Sequence, residues 1–229
     1  MNLNADLGEG AGEDEAILHQ VDSACVACGV HAGSASISIA TVSRSRALGV
    51  EVGAHPGYDD RPNFGRVEVP MSVKEIESLV AFQVASLAAI GPLAFVKAHG
   101  ALYHHCQHDR AAADALARVA RHHGAGLVGQ PGFEIVAAAE RAGIPAYREG
   151  FADRRVLPDG TLAPRREPGS MLQPERAVEQ AVRMARSGQY DTICIHGDTP
   201  GAAAVAAAVR QALDSAGIAT GPLATRIAR

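Results

Sequence analysis

Short strand-like runs that end in clusters of ionisable residues constrain the fold of this chain more than any other feature. They are NADLGEG at 4–10, ACGVHAG at 27–33, GAHPGY at 53–58, VKAHGALY at 96–103, REGFADRR at 148–155 and CIHGDTP at 194–200. Parallel strands that close into a barrel bring all their carboxyl ends to one rim, where such folds build their active sites. We therefore expect these ionisable residues to meet in one enzyme-like pocket.

Strand-like and helix-like segments alternate along the whole chain. We predict strands near residues 2–6, 23–28, 50–54, 94–97, 126–129, 145–149 and 191–196. The predicted helices lie near residues 13–20, 35–48, 72–90, 109–123, 132–142, 174–187 and 200–216. Such alternation is typical of βα units around a parallel sheet. The prediction is an α/β fold, an irregular seven-stranded parallel β/α barrel that need not close completely, with residues 1–229 as a single domain.

Two helix starts carry specific signals. Ser72 precedes Glu75 by three residues, the spacing of a capping box in which each side chain binds the other residue's backbone N–H. Thr199 followed by Pro200 predicts an N-cap and a first helical residue, because proline lacks the N–H that would be unpaired there.

Two long connections, at 55–71 and 150–173, interrupt the alternation. Connections of this length in a compact domain are usually functional or disordered. Because both connections follow predicted strands, we expect them to be functional and to cover the pocket as lids.

Composition excludes several classes of protein. The net charge is −4 and the basic residues are dispersed, which argues against a nucleic-acid surface. No apolar run approaches the ~20 residues needed to cross a bilayer, and the N-terminus lacks the features of a signal peptide. The four cysteines show no disulfide-framework spacing. We expect a cytoplasmic protein that binds neither membrane nor nucleic acid.

Some motifs point to functions that their context does not support. GAGLVG at 124–129 spells a dinucleotide fingerprint but follows a predicted helix and opens a strand, the reverse of what that site needs. No GxxxxGK[ST] phosphate loop occurs, so the chain has no recognisable ATP site of its own. Cys25 and Cys28 fall on opposite faces of a predicted strand, which disfavours a shared metal.

A second group of metal-binding residue types lies at His104, His105, Cys106 and His108. It falls between the KAHGALY run and the predicted helix start at Asp109. We interpret it as a solvated turn rather than a metal site.

Taken together, the ordered motifs resemble the LamB/YcsF family over essentially the whole chain. FGR at 64–66 and HGDTPGA at 196–202 complete the series quoted above. The resemblance implies an irregular β/α barrel of the glycoside hydrolase/deacetylase type. The chain departs from the family's usual residues at Cys25, Ser34, Val67, Ala98 and Val156; Ser34 replaces an Asp but still suits a helix N-cap.

The resemblance also implies an activity, the hydrolysis of the lactam 5-oxoproline to L-glutamate coupled to ATP hydrolysis. The expected partners are the 5-oxoprolinase B and C subunits, with ATP hydrolysed by the complex and a divalent cation as a further candidate cofactor. A five-membered lactam is an unstrained amide, so its ring opens slowly unless it is activated.

Candidate site residues are assigned by chemistry. The catalytic candidates are Asp6, Glu9, His31, His55, Lys97, His99 and Asp198. The substrate-binding candidates are Arg66, Tyr103, Glu149, Asp153, Arg154 and His196. Each has a structural alternative; Asp153, for example, could simply pair with Arg154.

Two other functions stay open at this stage. One is a metal-dependent deacetylase or amidase that acts alone, with Asp6 and two of His31, His55 and His99 as ligands. The other is a non-catalytic subunit that only binds substrate for its partners.

Overall fold

Seven parallel strands pair in chain order and close into a barrel in the computed structural model, which describes residues 1–224. The strands are β1 (Asn2–Leu7), β2 (Ser23–Ala27), β3 (Glu51–His55), β4 (Phe95–Val96), β5 (Gly126–Gly129), β6 (Ala146–Phe151) and β7 (Thr192–His196). The last strand returns to the first, with Ala5 opposite Ile195 and Asp6 opposite His196. The predicted fold class is confirmed, and closure is complete.

Helices follow the strands and cover the outside of the barrel. They are α1 (Asp14–Leu18), α2 (Ala35–Ala47), α3 (Val73–Ala88), α4 (Gly100–His108), α5 (Arg110–His122), α6 (Glu134–Ala142), α7 (Pro174–Ser187) and α8 (Ala202–Ser215), with a 3-10 turn at Arg61–Asn63. GAGLVG at 124–129 runs into β5 after helix α5, as predicted. Within residues 1–224, no helix is both long and apolar enough to span a bilayer.

The two faces of β1 pack against different surroundings. Leu3, Ala5 and Leu7 belong to the apolar layer between barrel and helices, and all are fully buried. The alternate residues Asn2, Asn4 and Asp6 make polar contacts to side chains of other strands, because side chains alternate in direction along a strand. The interior of the barrel therefore contains polar side chains on β1, whose hydrogen bonds lead up to the carboxyl rim, beside a small apolar cluster that includes Cys25, Phe95 and Val128.

The capping signals fared differently. Ser72 and Glu75 form the predicted capping box at the start of α3. The prediction at Thr199 and Pro200 was wrong, since α8 begins at Ala202. Gly201 takes a left-handed φ of 81° as the N-cap, and the Thr199 carbonyl accepts from the N–H of Ala202. The chain therefore makes one more turn before the helix starts.

The interpretation of residues 104–108 as a turn was also wrong, because they belong to α4. Leu102 and Cys106, one helical turn apart, are fully buried and anchor the helix to the core. His104 and His108 stay exposed, with ring centroids 4.6 Å apart. His105 forms a 2.6 Å hydrogen bond with the Tyr58 hydroxyl. The histidines made an amphipathic helix resemble a polar turn in the sequence.

Candidate active site

The carboxyl rim gathers the predicted residues from all parts of the chain. Asp6, His55 and His196 stand at or next to the last residues of three strands, while the others lie elsewhere along the strands or follow the strand ends. Eleven of them are buried, each with 9% or less of its surface exposed: Asp6, Glu9, His31, His55, Lys97, His99, Tyr103, Glu149, Asp153, Arg154 and His196. The space that these residues surround at the carboxyl rim is called the mouth of the barrel. Arg66 and Asp198 lie at its edge and are part-buried. The structure thus brings the predicted set together at one end of the barrel.

Lys97 is the cation at the centre of the barrel mouth. Its Nζ lies 2.8 Å from Asp6 Oδ1 and 2.8 Å from Glu149 Oε1. Burial by itself would lower the pKa of Lys97, but Asp6 and neighbouring groups hold it well above its usual value. Burial would likewise raise the pKa of Asp6, but His55 and Lys97 hold it well below its ordinary range. Both groups are therefore charged.

Glu149 and Tyr103 lie beneath the mouth. The Glu149 carboxylate, fully buried, accepts from the Tyr103 hydroxyl at 3.1 Å and from Asn4 Nδ2 at 3.2 Å, besides its ion pair with Lys97. These contacts with protein groups place Glu149 and Tyr103 as supports for Lys97.

Two histidines each bind a backbone carbonyl through one ring nitrogen. His55 Nδ1 donates to the carbonyl of Lys97 at 2.8 Å, and His99 Nε2 donates to that of Phe64 at 2.9 Å. Burial, with His31 and His55 nearby, holds the pKa of His99 well below its usual value, so this ring is neutral. A neutral imidazole has one donor and one acceptor nitrogen. The remaining nitrogens, His55 Nε2 and His99 Nδ1, lie 3.0 Å apart and face each other.

Glu9 and His31 complete this group of rings. Glu9 Oε1 lies 3.3 Å from His31 Nε2 and 3.4 Å from His99 Nδ1. The His31 and His99 rings stack with centroids 3.9 Å apart. Burial, and then the nearby His55, lower the pKa of His31 to about 3, whereas burial and the nearby Asp6 and Asp198 raise that of Glu9 well above its usual range.

This donor set fits a divalent cation. One ligand atom from each of Glu9, His31, His55 and His99 lies within 4.8 Å of the others. A tetrahedral zinc with Zn–N bonds of about 2.0–2.1 Å places its ligands roughly 3.3 Å apart. Three of the ligand pairs, His55–His99, Glu9–His31 and Glu9–His99, lie 3.0–3.4 Å apart, and the remaining pairs lie within 4.8 Å. Three imidazoles and a carboxylate suit zinc and similar first-row ions. Asp6, the carboxylate expected for such a site, lies outside this group.

His196 forms a separate dyad with Asp153 rather than leaving Asp153 to Arg154. His196 Nδ1 lies 3.0 Å from Asp153 Oδ1, and the His196 backbone N–H donates to Asp153 Oδ2 at 3.0 Å. Although burial opposes it, His196 holds the pKa of Asp153 below its usual value. The ionised carboxylate keeps the proton on Nδ1, so Nε2, 3.9 Å from Asp6 Oδ2, is directed into the mouth.

Arginines from the two long loops converge on Asp198. Arg66 Nη2 donates to Asp198 Oδ2 at 2.5 Å, and Arg165 binds both carboxylate oxygens at 3.1 Å. Both loops thus reach the mouth, as their predicted role as lids requires. Arg154 is buried beside them and donates to the carbonyl of Ala163 at 2.6 Å.

Sequence reasoning missed Asn4, Phe64 and Arg165. Asn4 shares the inward face of β1 with Asp6, so strand alternation alone could have found it. Phe64 has a left-handed φ of 58°, and its carbonyl orients His99. Arg165 is one of several arginines in a loop, and no local pattern separates it from the rest.

The fold and the mouth together define a β/α-barrel protein with an enzyme-type pocket of buried, ionisable groups. The sequence matches the LamB/YcsF family over residues 1–228. The chain belongs to this family, and the resemblance seen in the motifs is confirmed.

Individual relatives cover nearly the full length. The chain is 44% identical to the 5-oxoprolinase A subunit of Chloroflexus aggregans, covering 95% of this chain and 96% of that protein. It resembles the crystal structure of a lactam utilization protein from Thermus thermophilus, with a TM-score of 0.87, 40% identity, and 96% and 98% of the two chains covered. A family 4 carbohydrate esterase from Streptomyces lividans shares the fold alone, with a TM-score of 0.55 and 12% identity over 97% and 91% of the chains.

Proposed function

We propose that this chain hydrolyses the lactam of 5-oxoproline to L-glutamate as the A subunit of a 5-oxoprolinase, coupled to ATP hydrolysis and assembled with B and C subunits. One observation carries the proposal: proteins named as 5-oxoprolinase A subunits match this chain at 40–44% identity over 95% of its length. The lactam utilization protein, which has the same fold at 40% identity, supports the substrate class.

The chemistry of lactam opening sets three requirements. Water must lose a proton as it attacks the carbonyl carbon, negative charge on the oxygen must be stabilised, and the ring nitrogen must gain a proton as the C–N bond breaks. The mouth brings together imidazole nitrogens that can accept a proton, a charged lysine, and a set of side chains suited to bind a divalent cation. These are the groups such a reaction needs.

We assign the proton transfers to His196. Asp153 fixes the proton on Nδ1 and leaves Nε2 as the acceptor, the arrangement in which an imidazole takes a proton from a nucleophile and returns it to a leaving group. His196 is also the most exposed of the pocket histidines, with 9% of its surface accessible. It can therefore reach both the attacking water and the lactam nitrogen.

We assign a divalent cation to Glu9, His31, His55 and His99. When bound there, such an ion would polarise the lactam carbonyl or lower the pKa of a coordinated water. Asp6 and Lys97 support this group of ligands. Asp6 Oδ2 lies 3.4 Å from His55 Nε2, and the ion pair with Lys97 holds Asp6 in place.

ATP enters the proposal through the partners. Transfer of a phosphoryl group to the amide oxygen would make the carbonyl carbon a better electrophile and so help open an unstrained ring. The naming of the relatives as A subunits supports a complex of several subunits.

The decisive experiment is reconstitution. The purified chain is mixed with the cognate B and C subunits, and glutamate release from 5-oxoproline is measured with and without ATP, then with each component left out. We expect release only when ATP and this chain are both present. His196→Asn should abolish release, whereas His105→Asn, outside the mouth on α4, should retain it. Release from B and C alone, or none from the full set, would refute the proposal.

A second candidate is an amidase that acts alone with a bound cation, which the donor set around Glu9 favours. It predicts ATP-independent hydrolysis of simple amides or N-acetyl groups by the isolated chain supplied with Zn²⁺. If the first proposal holds, the isolated chain releases nothing under these conditions.

A further inference from the structure

The arginines at the edge of the mouth carry more positive charge than the protein neutralises there. Arg66 and Arg165 both bind the carboxylate of Asp198, and Arg154 lies within electrostatic range of Arg66, Arg165, Asp198 and Asp153. The nearby Asp153 is already engaged, since both its oxygens bind His196. Clustered guanidiniums with one counter-ion among them form an arrangement suited to a further anion.

Arg154 provides an independent sign of a missing partner. Only 6% of its surface is exposed, and its Nη2 donates to the carbonyl of Ala163. Its Nε, fully buried, has no hydrogen-bond partner among the described residues. Burial and the neighbouring Arg165 lower the pKa of Arg154 to about 10, and the opposing effect of Asp153 and Asp198 offsets this only in part, so the group stays charged at neutral pH. A buried charged donor without an acceptor is unfavourable, and an incoming anion would relieve this.

The bonds to Asp198 indicate what kind of anion fits. Arg165 Nη1 and Nη2 each donate to a different oxygen of Asp198, both at 3.1 Å. This two-pronged contact matches the planar shape of a carboxylate. The site therefore already holds the functional group it would recognise, supplied by the protein itself.

We propose that Arg66, Arg154 and Arg165 form a binding site for the carboxylate of a small acid, and that Asp198 occupies this site as an internal counter-ion until the acid displaces it. Only the identity of the acid, 5-oxoproline, rests on the proposed function. Because Arg66 and Arg165 also favour the ionised form of Glu9, they lie within electrostatic reach of the histidine group. Arg66 also lies over the Phe64 ring, and the Phe64 carbonyl binds His99, so a carboxylate held by the arginines would lie close to the histidine group.

The test is calorimetric titration of the purified full chain with three probes: 5-oxoproline, its uncharged relative 2-pyrrolidone, and inorganic phosphate. We expect 5-oxoproline to bind about 10- to 100-fold more tightly than 2-pyrrolidone, the range for a charge-assisted contact. Arg165→Gln should weaken 5-oxoproline binding by about tenfold or more and leave 2-pyrrolidone unchanged. Asp198→Asn should strengthen 5-oxoproline binding, because it removes the competing carboxylate.

Arg155→Gln is the matched control, since Arg155 lies on the same loop but binds Glu167 at the surface. It should leave all affinities unchanged. Equal binding of 5-oxoproline and 2-pyrrolidone, no binding of 5-oxoproline, or weakened binding in Asp198→Asn would each overturn the proposal. Phosphate binding tighter than that of 5-oxoproline would overturn it in favour of a phosphoryl group.

This outcome can be separated from that of the proposed function. Carboxylate-selective binding without glutamate release in the reconstituted complex would leave the arginine site standing and remove the enzymatic assignment. Glutamate release without such selectivity would do the reverse.

Discussion

His55 Nε2 faces His99 Nδ1 across 3.0 Å, and the other nitrogen of each ring donates to a backbone carbonyl, that of Lys97 for His55 and that of Phe64 for His99. Two ring nitrogens at this separation need a shared proton or a cation between them, because two facing lone pairs would repel each other. Glu9 Oε1 lies 3.4 Å from His99 Nδ1 and is a third atom in the same space that could bind a metal ion. The pocket is therefore prepared for a cation.

We predict that the metal-stripped chain takes up one equivalent of Zn²⁺ or Co²⁺ and gains stability. An ion present at about 100 times its Kd adds about 2.7 kcal/mol, which corresponds to a Tm rise of roughly 5–10 °C for a chain of this size. His99→Ala should weaken Co²⁺ binding by at least about tenfold, read from the visible absorption of the bound ion. His104→Ala, exposed on α4, should bind as the wild type does. An unchanged Tm at saturating Zn²⁺ would contradict the assignment.

Lys97→Met should destabilise the fold severely. The substitution leaves Asp6 and Glu149 buried without their shared cation, and breaking a buried ion pair in this way costs about 3–5 kcal/mol. Urea denaturation measures the loss, with Lys74→Met, exposed on α3, as the control. Adding Glu149→Gln to Lys97→Met should recover part of the stability. A loss below about 1 kcal/mol in Lys97→Met would show that the ion network is not required.

Asp153→Asn should flatten the acid dependence of stability. Because the pKa of Asp153 is depressed in the folded state, its ionised form stabilises the fold above the ordinary pKa of about 3.9. That contribution is lost as the pH falls through the lower, folded-state pKa. The variant should thus be less stable than the wild type near pH 7, by about 1–3 kcal/mol, with the gap closing toward about pH 3. Urea midpoints across this range measure it, with Asp214→Asn on α8 as the control; a constant gap would contradict the prediction.

Gly33→Ala should disrupt the mouth as well as the fold. Gly33 has a φ of 66°, and a Cβ there would lie 2.0 Å from the carbonyl oxygen of Gly8, while its N–H binds the carbonyl of Glu9. Relieving that clash must move the segment that carries Glu9. Gly132→Ala is the matched control, because Gly132 has a φ of 85° but open space around its Cβ position.

We expect Gly132→Ala to cost about 1–2 kcal/mol, the strain of a left-handed backbone, and Gly33→Ala to cost clearly more. Only Gly33→Ala should also lower the affinity for Co²⁺. Equal losses of stability with unchanged Co²⁺ binding would show that the close approach to Gly8 has no effect on Glu9.

Local patterns in the sequence predicted the barrel because each βα unit repeats the same signal. Strand ends were predicted to within a few residues, and strand ends decide which side chains reach the rim, so the histidines and acids fell into one pocket. Helix α4 was missed because three histidines broke its apolar pattern, although Leu102 and Cys106 keep the helical spacing.

Tertiary geometry accounts for the other differences. The pairing of Asp153 with His196 and of Arg165 with Asp198 depends on the path of a long loop, which no local pattern sets. The tautomers of His55 and His99 depend on carbonyls supplied by distant residues. Residue types therefore indicated where chemistry could occur, while the division of the mouth into a donor set, a dyad and an arginine cluster required coordinates.

A chain of polar side chains inside the barrel links its two ends. The Asn2 side chain, at the amino end of β1, accepts from the Thr192 hydroxyl, which accepts from Asn4 Nδ2. Asn4 Oδ1 in turn accepts from Lys97 Nζ. Only these few bonds separate the floor from Asp6. Residues at the amino end of the barrel, such as Asn2 and Thr192, therefore belong to the same hydrogen-bond network as Lys97. A redesign of the pocket has to keep that network intact at both ends.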